Sequence, residues 1–238
     1  MSWTDKKAVE HIKKIRDIFK VKTFVETGTF KGINAELQSK NFEQVFTCEK
    51  VKEYYDKACE RFIHNWTTNI SLYNDSSDKF LKWFIGYYNE LKRKDTIMFY
   101  LDAHFYNPTL PKKKRFVVLD ELKALKGFKN CVIIIHDFDN NLGHITYDGQ
   151  PLNLELLKKD LMKVNPHFKL YTNELSSCSP VTLNYKDITD SGLHLDTETI
   201  DNLEYAWKCP RLTYRGFLSA LPYALPKEVK IDGLKLIR

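Results

Sequence analysis

The run Thr23-Phe-Val-Glu-Thr-Gly-Thr-Phe-Lys-Gly32 joins a short apolar strand directly to a turn bearing two glycines. Upstream, residues 4–19 place Val9, Ile12, Ile15 and Ile18/Phe19 three to four positions apart among lysines, the spacing of an amphipathic helix. Downstream, a short helix to about Ser39 leads into a second strand, Gln44-Val-Phe-Thr-Cys-Glu49, and residues 51–65 return to a helical period with Val51, Tyr54/Tyr55, Ala58 and Phe62. The alternation continues. Ile70–Asn74 reads as a strand, and Ser77 can cap a helix burying Phe80, Leu81, Phe84 and Leu91. Ile97–Asp102 is a near-continuous apolar strand, followed by a helix with Phe116, Leu119, Leu122 and Leu125. Cys131-Val-Ile-Ile-Ile-His136 is the most apolar strand, as a central strand covered on both faces should be. A helix at about 153–164 and a strand near 168–172 follow.

Strands separated by helices, at steps of roughly 20–35 residues, are repeated βαβ units. The expected fold is α/β: a doubly wound, mostly parallel seven-stranded sheet with helices on both faces. A single domain spanning 1–238 is expected, with an N-terminal helix in 1–20, a ligand-binding core in 20–175, and C-terminal strands with a substrate-side insertion in 176–238. In that last part Val181–Tyr185 and Gly216–Ala220 are both strand candidates for closing the sheet.

Composition bounds the class. The 238 residues carry 37 Lys+Arg against 31 Asp+Glu, net +6, with 43% hydrophobic and 13% aromatic residues, enough apolar mass for a core and too much for a disordered chain. Uninterrupted apolar runs reach only about five residues, against the ~18 of a membrane span. No apolar segment follows Met1-Ser-Trp-Thr-Asp-Lys-Lys7, so a cytoplasmic protein without membrane association is expected. Five cysteines with no Cys-x-x-Cys pair argue against a disulfide framework or zinc knuckle, and Cys48 and Cys131 read as buried thiols.

In doubly wound sheets ligands bind outside the carboxyl ends of the strands, where strand order reverses. The five predicted ends carry Glu26 to Gly32, Glu49, Asn74-Asp75, Asp102-Ala103-His104 and His136-Asp137. The first is acid-x-Gly-x-x-x-Gly; the Gly-x-Gly-x-x-Gly of dinucleotide enzymes is absent, which argues against a nicotinamide-dependent dehydrogenase. An acid beside the turn suits a ligand with a cationic or hydroxyl-bearing part, and Glu49 can accept from both hydroxyls of a ribose.

On these residues the chain resembles the class I S-adenosylmethionine-dependent methyltransferases over roughly residues 20–140. The resemblance implies S-adenosylmethionine as cofactor, lined by Glu26, Thr27, Gly28, Thr29 and Gly32, with Glu49 on the ribose, Asn74, Asp75 and Ser76 beside the adenine, and Asp102 at the reacting end. Asp102 and Asp137, on adjacent strand ends, would repel unless a proton or cation lies between them. The pair looks like the metal centre of sugar O-methyltransferases of the macrocin type. That resemblance implies Mg²⁺ on Asp102, Asp137 and His136, and His104 as base beside Asp102. His104 as ligand with His136 as base is the other assignment. The sequence departs from that family in having His136-Asp137 where two acids are common and Asp-Ala-His where the interval to His is longer.

The expected partner is a carbohydrate or glycan acceptor; nucleic acid is disfavoured and a homo-oligomer is compatible with the sequence. Methylation of RNA, at a cap or ribose, is the nearest competing activity. It is favoured by net charge and the Lys112-Lys-Lys-Arg115 run, but lacks the Lys-Asp-Lys-Glu set of ribose methyltransferases. No Asn/Asp-Pro-Pro-Tyr/Phe motif points to base methylation. A non-catalytic binding domain of the same fold is the alternative outside enzymes. Asp120 and Glu121 read as a solvated helix face, Asp139 as a turn residue, and Trp66, Trp83, Tyr87 and Tyr88 as core or interface. Residues 186–215, rich in acids and aromatics, suit either a sugar-facing cover or a subunit contact.

Overall fold

A computed structural model of the chain describes residues 6–103, 116–140, 151–174 and 216–238. His104, Lys112–Arg115, Val181–Tyr185 and residues 186–215 lie outside them. The elements are α1 (Lys6–Phe19), β1 (Thr23–Thr27), α2 (Ile33–Ser39), β2 (Gln44–Cys48), α3 (Lys52–His64), β3 (Ile70–Tyr73), α4 (Ser77–Glu90), β4 (Ile97–Leu101), α5 (Val117–Ala124), β5 (Cys131–His136), α6 (Leu154–Val164), β6 (Lys169–Asn173), β7 (Phe217–Leu221) and β8 (Leu234–Leu236).

The strands form one sheet in the order β3-β2-β1-β4-β5-β7-β6-β8. The pairings from β3 through β5 are parallel, and β7 is antiparallel to both β5 and β6. The doubly wound, mostly parallel expectation therefore holds for a Rossmann-like sheet. The strand count is corrected: β8, three residues paired antiparallel to β6, makes eight described strands instead of seven. Gly216–Ala220 supplies the strand that enters between β5 and β6.

Both faces are covered, which is why β4 is apolar throughout and β5 as far as its final His136, and why β1, β4 and β5 are all buried along their length. On one face Phe80, Leu81 and Phe84 of α4, Val118 and Leu122 of α5, and Leu157 and Leu161 of α6 pack with Phe99, Ile133 and Ile135. On the other, Ile12, Ile15 and Phe19 of α1, Ala35 of α2, and Ala58 and Phe62 of α3 pack with Phe24, Met98, Tyr100 and Ile134. Cys48 and Cys131 are buried free thiols, as expected.

Four expectations are revised. Ser76, not Ser77, is the N-cap of α4, and its hydroxyl donates to the Asp78 carboxylate (2.8 Å) instead of capping a backbone N–H. Leu91 is the C-cap of α4 and half exposed, because it falls in line with exposed Trp83 and Tyr87 at four-residue intervals and not on the face of buried Phe80, Leu81 and Phe84. Glu121 is fully buried while Asp120 alone faces solvent and pairs with Lys123 (2.6 Å). Trp66 sits just past α3 with φ +50° and is 87% exposed, outside the core of the protomer. No helix among the described residues is long and apolar enough to cross a membrane.

Candidate active site

Strand order reverses between β1 and β4, so their carboxyl ends splay a crevice with the Glu26–Gly32 turn on one side and Asp102 on the other. The turn is pinned from below: Gly28 and Thr29 both donate their N–H to the Cys48 carbonyl (3.0 Å each), which folds the chain over the end of β2. Gly28 has φ +81°, and a Cβ there would lie 2.8 Å from the Asp102 carbonyl oxygen and 2.9 Å from Ala103 Cα. Only glycine lets the turn come this close to the end of β4. Asp102 N–H in turn donates to the Thr27 carbonyl and hydroxyl oxygens, both at 3.3 Å. Gly32, φ +80°, is the N-cap of α2 and lies against the Phe62 ring. From behind, Arg61 donates to the Lys31 carbonyl (2.9 Å) while its guanidinium pairs with buried Glu36 (3.1 Å), fixing the turn to α3.

Glu26 is buried at the floor of the crevice. Its carboxyl accepts from Asn34 Nδ2 (2.6 Å) and Thr47 Oγ1 (2.7 Å), and Thr29 Oγ1 adjoins Thr47 Oγ1 at 2.6 Å. Burial pushes its pKa up to about 8 against the lowering effect of those two hydrogen bonds, and the nearby charges of Asp102 and Glu49 add to the rise. Glu26 is thus a protonated member of a buried polar network at neutral pH until a cation approaches.

Glu49 follows β2 and is held by two backbone groups: Phe30 N–H donates to Oε2 and Val51 N–H to Oε1, each at 2.8 Å. Asn74 braces the same corner by donating to the Glu49 carbonyl (2.8 Å). Asp75 accepts from Ser76 N–H (2.7 Å) at the start of α4, and Asp75 and Asn74 are exposed. The predicted set Glu26, Thr27, Gly28, Thr29, Gly32 and Glu49 is therefore gathered around one turn, linked through Thr47, Phe30 and Cys48, whereas Asn74, Asp75 and Ser76 form its outer margin.

At the ends of β4 and β5, donor atoms of Asp102, His136 and Asp137 lie within 4.8 Å of one another. His136 Nδ1 is 2.8 Å from Asp102 Oδ1 and 3.2 Å from Asp137 Oδ1. Asp137 has φ +57°, a left-handed backbone that aspartate adopts at a cost and that places its carboxylate beside the histidine. His136 Nδ1 lies between two carboxylates, so the arrangement brings like charges close together. Two carboxylates and an imidazole nitrogen converging this closely fit a divalent cation. Asp139 is outside this group, and its N–H donates to the Leu152 carbonyl (2.8 Å).

Sequence reasoning missed the supports. Thr47 faces Glu26 across the β1–β2 register, and Asn34 reaches it from α2. The only prior signal was that both polar residues sit in otherwise apolar surroundings. Phe30 and Val51 were also missed; their N–H groups orient Glu49 and their half-exposed side chains rim the crevice.

No family model and no curated protein matches the chain. Among solved structures, it is similar to the methyltransferase domain of bacterial CtHen1 (11% identity, 90% of this chain and 97% of that one, TM-score 0.49). It is also similar to a SAM-dependent methyltransferase from Aquifex aeolicus (12%, 91% and 89%, TM-score 0.48). A third is the plantazolicin methyltransferase BamL, solved in complex with a triazolic desmethylPZN analogue and SAH (12%, 91% and 84%, TM-score 0.46). These structural neighbours are methyltransferases.

Proposed function

We propose that the chain is an S-adenosylmethionine-dependent O-methyltransferase that acts on a sugar or glycan hydroxyl with the help of a divalent cation. The observation that carries this reading is the Asp102–His136–Asp137 group, opening at the strand-order reversal directly beside the Gly28 turn. A binding domain that only held an adenosine ligand would gain nothing from two clustered carboxylates next to it.

When bound, S-adenosylmethionine supplies an electrophilic methyl carbon, and the cation lowers the pKa of an acceptor hydroxyl. The residues divide the remaining work. Glu49, pre-oriented by Phe30 and Val51 N–H groups, keeps lone pairs on both oxygens for a ribose diol. Glu26, protonated when alone, can ionise toward a ligand ammonium, so charge is placed there only when it is matched. The Gly28 turn brings its backbone against Asp102, which shortens the gap between the cofactor side and the acceptor side and favours near-attack geometry. Asp102, His136 and Asp137 would hold the cation. His104, two positions after Asp102, is assigned as proton acceptor on the resemblance to the sugar enzymes.

Calorimetric titration of S-adenosylhomocysteine, with Mg²⁺ or Mn²⁺ and then with EDTA, tests the cofactor half. Binding is expected in all three, since Glu49 and the Gly28 turn do not depend on the cation. Methyl transfer from labelled cofactor to a panel of glycans and RNAs tests the other half. Transfer should require metal and label carbohydrate. A folded protein that binds no S-adenosylhomocysteine would overturn the reading, and label entering RNA in EDTA would overturn its metal and acceptor parts.

A further inference from the structure

Helix α4 flanks the open β3 edge of the sheet, and it packs beside α5 on its other side. Its outer face carries Trp83, Tyr87 and Leu91 at four-residue intervals, 42%, 36% and 48% exposed. The Trp83 and Tyr87 rings are parallel to within 7° at 5.4 Å, and Tyr73 of β3 continues the row at 4.4 Å from Trp83. This is one connected aromatic strip, not scattered exposed residues.

A second, independent feature lies in the same strip. Gly86 occupies the interior of α4, where glycine is disfavoured because its backbone loses the most freedom on folding. A Cβ on Gly86 would meet no atom of the protomer within 4 Å. Among the described residues nothing outside its own helix calls for its lack of a side chain. A notch beside protruding rings fits a close approach from outside.

The charges indicate what approaches. Lys82, which pairs with Asp78 of its own helix at 3.4 Å on the exposed surface, and Glu90 are both exposed and stand four residues before and four residues after Gly86. Two copies of α4 crossing antiparallel about a two-fold axis at Gly86 set Lys82 of each against Glu90 of the other, while Trp83 and Tyr87 of each flank the other's notch. Such self-complementarity is the signature of an isologous contact. We propose that this chain dimerises through α4, with a second copy of itself as the occupant of the strip. The proposal is independent of the methyl-transfer reading.

Sedimentation velocity of the full chain across a dilution series tests it. The wild type is expected to populate a dimer. Gly86→Gln, a better helix former placed in open space, should leave the thermal midpoint unchanged or higher while weakening dimerisation by about tenfold or more. Lys82→Glu and Glu90→Lys should each weaken the dimer, and combining them should restore it, which only the antiparallel two-fold arrangement predicts. A wild type that stays monomeric overturns the proposal and leaves the strip to a different partner. A dimer untouched by Gly86→Gln, or a double variant no better than the singles, overturns it as well.

Discussion

Burial keeps Glu26 protonated up to about pH 8, and this makes stability depend on pH in a direction opposite to that of an ordinary ion-paired carboxylate. In the unfolded chain the group ionises near its ordinary value of 4.5, so between there and about 8 only the unfolded state releases the proton. The contribution is fully present below the unfolded pKa and is lost as pH rises through the folded one. Glu26→Gln retains an acceptor for Asn34 and removes the ionisation. Urea unfolding should find it close to wild type at pH 4 and more stable at pH 9, by about 3–5 kcal/mol at most. Equal pH profiles for the two proteins would show that Glu26 is not held neutral. Glu49 tests differently, because both its oxygens are already oriented. Glu49→Ala should weaken S-adenosylhomocysteine binding by about 1–3 kcal/mol in calorimetry, the loss expected of charged hydrogen bonds. Asp102→Ala should leave that affinity nearly unchanged while abolishing methyl transfer. Full activity in Asp102→Ala would remove the metal-assisted mechanism.

Among the elements, the turn after β1 is the one whose form is most strictly imposed. Gly28→Ala introduces a Cβ 2.8 Å from a backbone oxygen at φ +81°, where neither partner can yield without moving the end of β4. Thermal and urea unfolding should show a loss of about 2 kcal/mol or more, with weaker S-adenosylhomocysteine binding in what remains folded. The elements also show why some of the architecture was readable in advance. β4 and β5 announced themselves as near-continuous apolar runs because both faces of each are covered, β1 by the glycine turn it runs into, and the residues at their ends marked the crevice. Elements fixed by distant partners did not. β8 is too short to carry a period, and although Gly216–Ala220 read as a strand, its place between β5 and β6 is set by those two strands and not by any local pattern. Glu121 looked like a solvated residue since helical periodicity says which face turns inward, not which acid has a buried environment waiting. The ligand-bearing corners were legible residue by residue, but the hydrogen bonds from Asn34 and Thr47 that hold Glu26 depend on strand register, which a single sequence does not display.

For the molecule as a whole, the segregation of parts has consequences for ligand response. The contacts proposed for the cofactor gather around β1 and β2, and the carboxylate–imidazole group around β4 and β5, so ligands at the two should stabilise the fold separately. In thermal unfolding, Mn²⁺ or Mg²⁺ should raise the wild-type midpoint without added nucleoside. The rise should be lost in His136→Ala and Asp137→Asn variants, which should retain the response to S-adenosylhomocysteine. A metal response that survives both substitutions would locate the cation elsewhere.

The antiparallel insertion of β7 also orders events during synthesis. β3, β2, β1, β4 and β5 can pair as soon as they leave the ribosome, but among the described residues β6 pairs with β7 and β8 alone, which emerge more than forty residues later. Until then β5 presents a bare hydrogen-bonding edge and β6 has no strand to join. A nascent chain paused before Phe217 therefore holds a sticky, half-built sheet, and this interval is when a chaperone would have most to protect.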